Sequence, residues 1–152
     1  MKTIRLSHEA PSHGWLTLHL AANGHSIEID TSDVPNNPVQ ELISAIHSAA
    51  GGVMACVWFH LEPDGYYLHL EPIGDNIRLR LDYAPESEQS RSRKVMEVEG
   101  DRRDILLPFW RFIRDFQSRG YTEPHWPDVD YRDMDAIKAR IDKHRAWATH
   151  LC

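Results

Sequence analysis

Histidine is the residue type in this sequence with the widest range of possible chemistry, because neutral imidazole binds metal ions and changes charge near pH ~6.5. The chain has ten histidines. His19, His60 and His69 stand in segments of alternating hydrophobicity, and a favourable sheet order would bring them together with Glu62 and Glu71. No two histidines, however, have the His-x3-His spacing typical of a metal site on a helix. We predict neither a metal nor a cofactor. The alternative is a small metal- or ligand-binding enzyme with a His/Glu cluster around His60, Glu62 and His69.

Nucleophilic side chains are the second possible source of chemistry, and the two cysteines are Cys56 and Cys152. Cys56 lies inside an apolar run and not at a helix start, where thiol pKa values are lowered, so we expect a small buried hydrophobe. The two cysteines form neither a disulfide framework nor a zinc pattern. The sequence also lacks the Gly-x-Ser-x-Gly, phosphate-loop and Gly-x-Gly-x-x-Gly motifs. We therefore predict no catalytic residue.

The distribution of charged residues indicates which classes of binding partner to expect. The net charge is −6, and residues 1–100 carry 14 acidic and 7 basic side chains, whereas residues 101–152 carry 9 and 10. Proteins that bind phosphate backbones concentrate lysine and arginine, so we expect neither nucleic acid nor an anionic membrane as a partner. An acidic surface accelerates the encounter with a basic protein. The alternative is that the acidic charge only keeps the chain soluble. The expected partner is a protein, with a basic domain as the specific form.

Length and composition indicate one α+β domain spanning residues 1–152, since 152 residues with 41% hydrophobic content are ordinary for a single globular domain. The longest apolar run, Gly51 to Phe59, is shorter than the ~20 residues of a membrane span. The first residues lack the apolar region of a signal peptide. We expect a cytoplasmic protein.

The elements that must position these side chains can be predicted from periodicity and turn residues. Alternation predicts two strands, Trp15 to Leu20 and His25 to Asp30, joined at the hairpin dipeptide Asn23-Gly24. Asn37 as cap and Pro38 at the first position predict a helix that runs to Ala50.

The middle of the chain predicts four more strands. They are Val53 to Leu61, Tyr66 to Glu71, Ile77 to Tyr83 and Val95 to Glu99, with a polar loop from Ala84 to Lys94. Short turns between successive strands imply an antiparallel meander. The longest strand, Val53 to Leu61, is apolar on both faces, so we expect it at the centre of the sheet.

Two helices are predicted at the end of the chain. Helical spacing predicts a helix from Gly100 to Arg119, with Asp104 as the cap and Pro108 in the first turn. A thinly apolar, peripheral helix is predicted from Tyr131 to Trp147. The order is therefore β-β-α-β-β-β-β-α-α. We expect an α+β fold in which one antiparallel meander of about six strands is covered by helices on one face.

The other face of this sheet holds the candidate partner-binding residues, which by parity are Trp58, His60, Tyr67, His69 and Arg80. Such a face can be solvated sheet with cross-strand pairs, a recognition surface, since Trp, Tyr and Arg dominate binding hot spots, or a surface partly covered by the N-terminal segment or the last helix. The acidic loop with Glu86 and Glu88 is a second candidate surface.

Three segments carry a resemblance to known proteins: residues 38–45, then residues 57–67 with the turn Glu62-Pro63-Asp64-Gly65, then Gly120-Tyr121 with His125-Trp126-Pro127. Over residues 14–130 the pattern resembles a loose group of small acidic bacterial proteins with no established catalytic residues. In size, charge and α+β build the chain is also similar to immunity proteins of bacterial toxin–immunity pairs. That resemblance implies a non-catalytic protein that neutralises a basic toxin domain. The third alternative is a self-associating structural protein that forms a twofold homodimer.

Overall fold

The computed structural model describes residues 3–86 and 91–150. Its elements, in chain order, are β1 (Ile4–His8), β2 (Trp15–Ala22), β3 (His25–Ser32), α1 (Pro38–Ala50), β4 (Ala55–His60), β5 (Gly65–Ile73), β6 (Asn76–Ala84), β7 (Arg93–Asp101), α2 (Arg102–Arg119) and α3 (Met134–His150). Within these described residues, no helix is long and apolar enough to cross a membrane.

The strands form two antiparallel sheets, with the orders β1-β2-β3 and β4-β5-β6-β7. The predicted α+β class is therefore confirmed, whereas the single sheet of about six strands is wrong. β3 contacts β4 but belongs to a separate sheet, so β4 is an edge strand and not the central strand that its apolar composition predicted. The element order also gains one strand, β1, which was not predicted although Ile4 and Leu6 alternate with Arg5 and Ser7.

The β2–β3 hairpin and α1 form as their turn and cap residues predict. Asn23 and Gly24 both have positive φ, at 50° and 81°, as a two-residue hairpin loop requires. The side chain of Asn37 accepts hydrogen bonds from the first-turn amides of α1, and Pro38 occupies the first turn, where its missing N–H has no consequence.

Arg102 holds the C-terminal end of α1. Its guanidinium is buried, with Nη1 donating to the carbonyl oxygens of Ala49 at 2.8 Å and Ala50 at 3.2 Å. Nη2 donates to the carbonyl of Gly74 at 3.0 Å, in the turn between β5 and β6. A cation is favourable at a helix C-terminus, where carbonyl groups lack intrahelical partners. One side chain therefore joins α1 to the second sheet.

The long helix α2 starts at Arg102, two residues after its predicted start at Gly100. Its cap is Asp101, whose Oδ1 accepts from the backbone N–H of Asp104 at 2.7 Å, so the prediction that Asp104 is the cap is wrong. The reason is that β7 runs directly into the helix without a loop. Pro108 consequently lies beyond the first turn, inside the helix. Gly120 ends the helix in the left-handed conformation.

The hydrophobic core lies between the inner faces of the two sheets and the three helices. Leu16, Leu18 and Leu20 of β2 alternate inward as predicted. The aromatic connection after α2 also belongs to the core, because Trp126 is 1% exposed. Although α3 is thinly apolar, as predicted, three of its apolar residues are buried: Met134, Ile137 and Ile141.

Candidate protein-binding face

The outer face of the second sheet consists of the side chains of β4 to β7 that point away from the core. Cross-strand pairing places Trp58 opposite Tyr67 and Tyr67 opposite Asp82 in one row, while the next row aligns Cys56, His69, Arg80 and Glu97. Five sequence-predicted residues, Trp58, His60, Tyr67, His69 and Arg80, therefore share this face. A register shift between Leu81 and Asp82 affects only the pairing with β7.

A stacked aromatic pair lies at the edge-strand end of the outer face. Trp58 and Tyr67 have ring centroids 4.4 Å apart and planes inclined by 33°. They face each other as a non-hydrogen-bonded pair, the arrangement in which opposed side chains come closest. Tyr67 is only 8% exposed, whereas Trp58 is half-buried, with His60 beside it at 5.6 Å. A binding partner would therefore reach this pair mainly through the indole of Trp58.

Gly65 makes room for the Trp58 indole. A Cβ atom at Gly65 would lie 2.4 Å from Cη2 of Trp58 and 2.2 Å from the carbonyl oxygen of Phe59. Neither distance is possible for a real side chain, and the second contact is with backbone. Gly65 is opposite His60 in the β4–β5 ladder, so the glycine of the predicted turn is also the floor on which the indole lies.

Two polar side chains from the start of α1 hold the backbone of Trp58 at the free edge of β4. Nδ2 of Asn36 donates to the carbonyl oxygen of Trp58 at 2.9 Å and also to the carboxylate of Glu41. That carboxylate accepts the backbone N–H of Trp58. Burial raises the pKa of Glu41, although both hydrogen bonds oppose the shift. No spacing rule predicted this clamp, because it joins residues that are far apart in sequence.

The charged groups on the outer face are largely paired with each other. Nε of Arg80 lies 3.2 Å from both carboxylate oxygens of Asp82, and Nε2 of His69 lies 3.3 Å from one of them. Asp82 is 5% exposed. Burial, followed by the charge of Arg80, lowers the pKa of His69, so its imidazole is neutral at pH 7. Arg80 is consequently held in place and presents an ordered guanidinium.

A second set of ion pairs forms the rim of the face. Arg78 lies 3.8 Å from the carboxylate of Glu71 and 3.6 Å from that of Glu99, and Asn76 donates to Glu99 at 3.3 Å. Such exposed pairs contribute little to stability, about 0–1 kcal/mol each. They give the face a polar border on one side of the aromatic pair.

Cys56 is exposed on this face, so the prediction that it is buried is wrong. The side chain of Cys56 points to the outer face, as those of Trp58 and His60 do. Because β4 is an edge strand, Cys56 also has a neighbouring strand on one side only. Partial burial of the thiol, followed by the negative charges of Glu41 and Asp82, raises its pKa to about 11. The thiol is therefore protonated at neutral pH, which makes it a poor nucleophile.

The predicted His/Glu cluster does not form. His60 and His69 are opposite Gly65 and Cys56, several residues apart along the strands, and His19 belongs to the other sheet. Among the residues that the structure describes, the group of possible metal ligands is instead His19 with Glu9 and Glu28, whose ligand atoms lie within 4.8 Å of one another. It is largely exposed, and His19 already contacts Glu9 at 3.2 Å.

The acidic loop is described only in part. Glu86 is exposed and pairs with Arg91, whose Nη1 lies 3.0 Å from its carboxylate. Glu88 lies outside the described residues. The loop is shorter than predicted, because β6 extends to Ala84 and β7 begins at Arg93.

Comparison with known proteins adds a distant structural likeness. The sequence matches no family model and no curated protein. A chain of the CdiA-CT/CdiI toxin and immunity complex from Enterobacter cloacae is similar in structure, with a TM-score of 0.43 and 9% identity over 78% of this chain and 99% of that chain. At this distance the likeness supports no statement about function.

Proposed function

We propose that this chain is a non-catalytic protein-binding protein that docks a basic protein partner through the outer face of the second sheet. The observation that carries the proposal is the Trp58–Tyr67 stack, a half-buried indole on a buried ring with ion pairs on the neighbouring strands. Interfaces have this anatomy, in which a few aromatic and arginine side chains supply most of the binding energy inside a polar rim.

The chemistry of the face favours binding over catalysis. Its thiol, Cys56, is protonated at neutral pH, and its most buried carboxylate, Asp82, is engaged by Arg80 and His69. A general base needs a carboxylate or imidazole that is free to take a proton from a substrate. These groups are arranged to hold one another in place.

The specific form of the proposal is an immunity-like inhibitor of a toxin domain. A toxin that acts on nucleic acid needs a basic surface to hold phosphates, and an acidic protein with a net charge of −6 competes for that surface. Charge then accelerates the encounter, and the aromatic stack supplies specificity once the two proteins meet.

The test is a pair of matched tryptophan variants. Trp58→Ala removes the proposed anchor, and Trp15→Ala removes a tryptophan that is 40% exposed on the first sheet. Both tagged proteins and the unchanged chain are used to capture partners from the native host at low salt, and mass spectrometry identifies what is retained. We expect a basic protein that binds the unchanged chain and Trp15→Ala, with an affinity at least about thirtyfold weaker for Trp58→Ala.

Two further measurements complete the test. The captured partner, expressed alone, should arrest cell growth, and coexpression of this chain but not of Trp58→Ala should restore it. Circular dichroism of both variants establishes that each is folded. An acidic partner, or equal loss of binding in the two variants, contradicts the proposal. Light scattering that shows a dimer dissociated by Trp58→Ala would instead support self-association through this face.

A further inference from the structure

The free edge of β1 is a second candidate binding surface, and it differs from the outer face of the second sheet because its backbone groups are unpaired. The N–H of Glu9 donates to the carbonyl of Thr17 at 3.0 Å, which fixes the phase of the β1–β2 ladder. Because hydrogen-bonded and non-hydrogen-bonded pairs alternate in an antiparallel ladder, the N–H and C=O groups of Ile4, Leu6 and His8 point away from β2. The hydrogen bonds of the described residues give these groups no partner.

A groove runs along this edge, between β1 and α2. It has a volume of about 580 Å³, and all five residues of β1 line it on one side. Pro108, Arg111, Phe112, Asp115 and Arg119 of α2 line the other side. Five strand residues span about 17 Å, so the groove has room for an extended segment of about five residues.

The edges of the second sheet are less suited to an added strand. At β4, the side chains of Asn36 and Glu41 occupy the edge groups of Trp58. At β7, the register shifts opposite Leu81 and Asp82, and such irregularities twist an edge away from regular pairing. β1 is regular over its whole length, and its inward residues are apolar or aromatic.

The charge of the groove is opposite to that of the whole chain. Arg5, Arg111 and Arg119 line it together with one acid, Asp115, although the net charge of the chain is −6. Arg119 forms an ion pair with Asp115, with 3.5 Å between Nη2 and Oδ1. Arg5 and Arg111 are exposed, and the ion pairs found among the described residues leave both guanidinium groups available.

We propose that this groove binds an extended, acidic segment of a protein partner, which adds to the first sheet as a fourth strand beside β1. Main-chain hydrogen bonds to Ile4, Leu6 and His8 would supply the pairing, and carboxylates of the segment would pair with Arg5 and Arg111. A second copy of β1 fits less well, because it would bring another Arg5 into an already basic groove. The proposal is independent of the proposed function, since it concerns another surface and a ligand segment of opposite charge.

The probe is an acetylated and amidated heptapeptide in which valine alternates with glutamate. It is titrated into the ¹⁵N-labelled full chain and followed by NMR. We expect saturable shifts of the Ile4, Leu6 and His8 amides and of the α2 residues around Arg111. The same peptide with lysine in place of glutamate should bind at least about tenfold more weakly. Alternate N-methylation blocks one edge of the peptide strand. The peptide whose methyl groups lie on the edge that faces β1 should lose binding, whereas the peptide methylated in the other register, on the outer edge, should retain it.

Two charge-reversal variants distinguish a specific contribution of the groove to peptide binding from a general effect of the net charge of the protein. Arg111→Glu should weaken binding of the glutamate peptide about tenfold. Arg132→Glu makes the same charge change at a side chain that is 80% exposed and outside the groove, and it should have no effect. Absence of shifts at β1, equal binding of the lysine peptide, or equal effects of the two variants would each overturn the proposal. So would a stable dimer whose interface is β1.

Discussion

β1 and β4 are the first strands of their sheets, and each is bonded to a neighbour on one side only. In both strands every second residue points its backbone N–H and C=O away from the sheet. At β4, the edge groups of Trp58 are taken up by side chains of Asn36 and Glu41. At β1, the corresponding groups of Leu6 face a groove lined by arginines of α2.

This difference shows how side chains decide whether a sheet edge is available for pairing. Both edges have the same backbone chemistry, and unpaired edges tend to associate with other chains. At Trp58 the β4 edge is closed by residues that precede and begin α1, so the outer face presents the Trp58 side chain without the backbone groups of that residue. The β1 edge has no such cover among the described residues, and it offers backbone and charge together.

The largest expected effect comes from Gly65→Ala, which tests the β4 side of the comparison. Its Cβ would lie 2.2 Å from the carbonyl oxygen of Phe59, so β4 and β5 must separate, at a cost of about 3 kcal/mol in the free energy of unfolding. The control is Gly24→Ala, where space is open but φ is +81°, with a loss of about 1 kcal/mol from backbone strain. Urea unfolding measures both. Equal losses would mean that packing at Gly65 is not tight.

The second-largest expected loss of stability comes from a comparison of two adjacent arginines, Arg102 and Arg103. Arg102→Ala should cost about 2 kcal/mol, because it leaves buried carbonyls at the end of α1 and at Gly74 without a donor. Arg103→Ala removes a partly exposed ion pair with Asp142 and should cost less than about 1 kcal/mol. Since Arg102 joins α1 to the second sheet, its loss should also loosen the clamp on Trp58. Equal losses in thermal or urea unfolding would contradict this role of Arg102.

Local patterns predicted the elements well, and long-range contacts explain the failures. Alternation, Asn23-Gly24 and Asn37-Pro38 are signals between neighbouring residues, and all three correspond to observed structure. The parity of β4 and β5 likewise placed Trp58 and Tyr67 on one face. The division into two sheets was not predictable in this way. It depends on which strands pair across the chain, and at β4 on side chains more than fifteen residues away in sequence.

The aromatic run 121–127 shows a second limit of local patterns. It has no regular period, yet Trp126 is fully buried, with its ring centroid 6.1 Å from that of Phe116. The identity of an isolated tryptophan does not reveal whether a core surface will lie over it. The same limit applies to β1, because its groove exists only once α2 packs beside it.

Amide exchange compares the two edges directly. In the unchanged chain, the Trp58 amide should exchange slowly because the Glu41 carboxylate accepts its hydrogen, whereas the Leu6 amide should exchange quickly. Glu41→Ala should speed exchange at Trp58 and leave Leu6 unchanged, with a loss of about 1 kcal/mol in stability. Ser44→Ala, an exposed position on the same helix, is the control. Slow exchange at Leu6 would show that the β1 edge is already covered.

The smallest effect is a pH dependence that both sheets share. His8 lies beneath β1 against Phe112 and Phe116, and burial lowers its pKa, with Asp115 opposing the shift. Burial also lowers the pKa of His69. As the pH falls below about 6.5, the unfolded chain gains protons at these positions before the folded chain does, so the free energy of unfolding must fall until the folded pKa values are passed.

Variants at the two histidines assign that loss of stability to each sheet. Urea unfolding between pH 7.5 and 5 should show a smaller loss of stability in His8→Phe, which keeps the aromatic packing but cannot be protonated. His69→Gln should also reduce the loss, and the double variant should reduce it further, because the sites lie in different sheets and their effects should add. His25→Gln, at an exposed position, is the control substitution. If the double variant has the same pH dependence as the unchanged chain, carboxylates and not these two imidazoles govern the stability of the protein in acid.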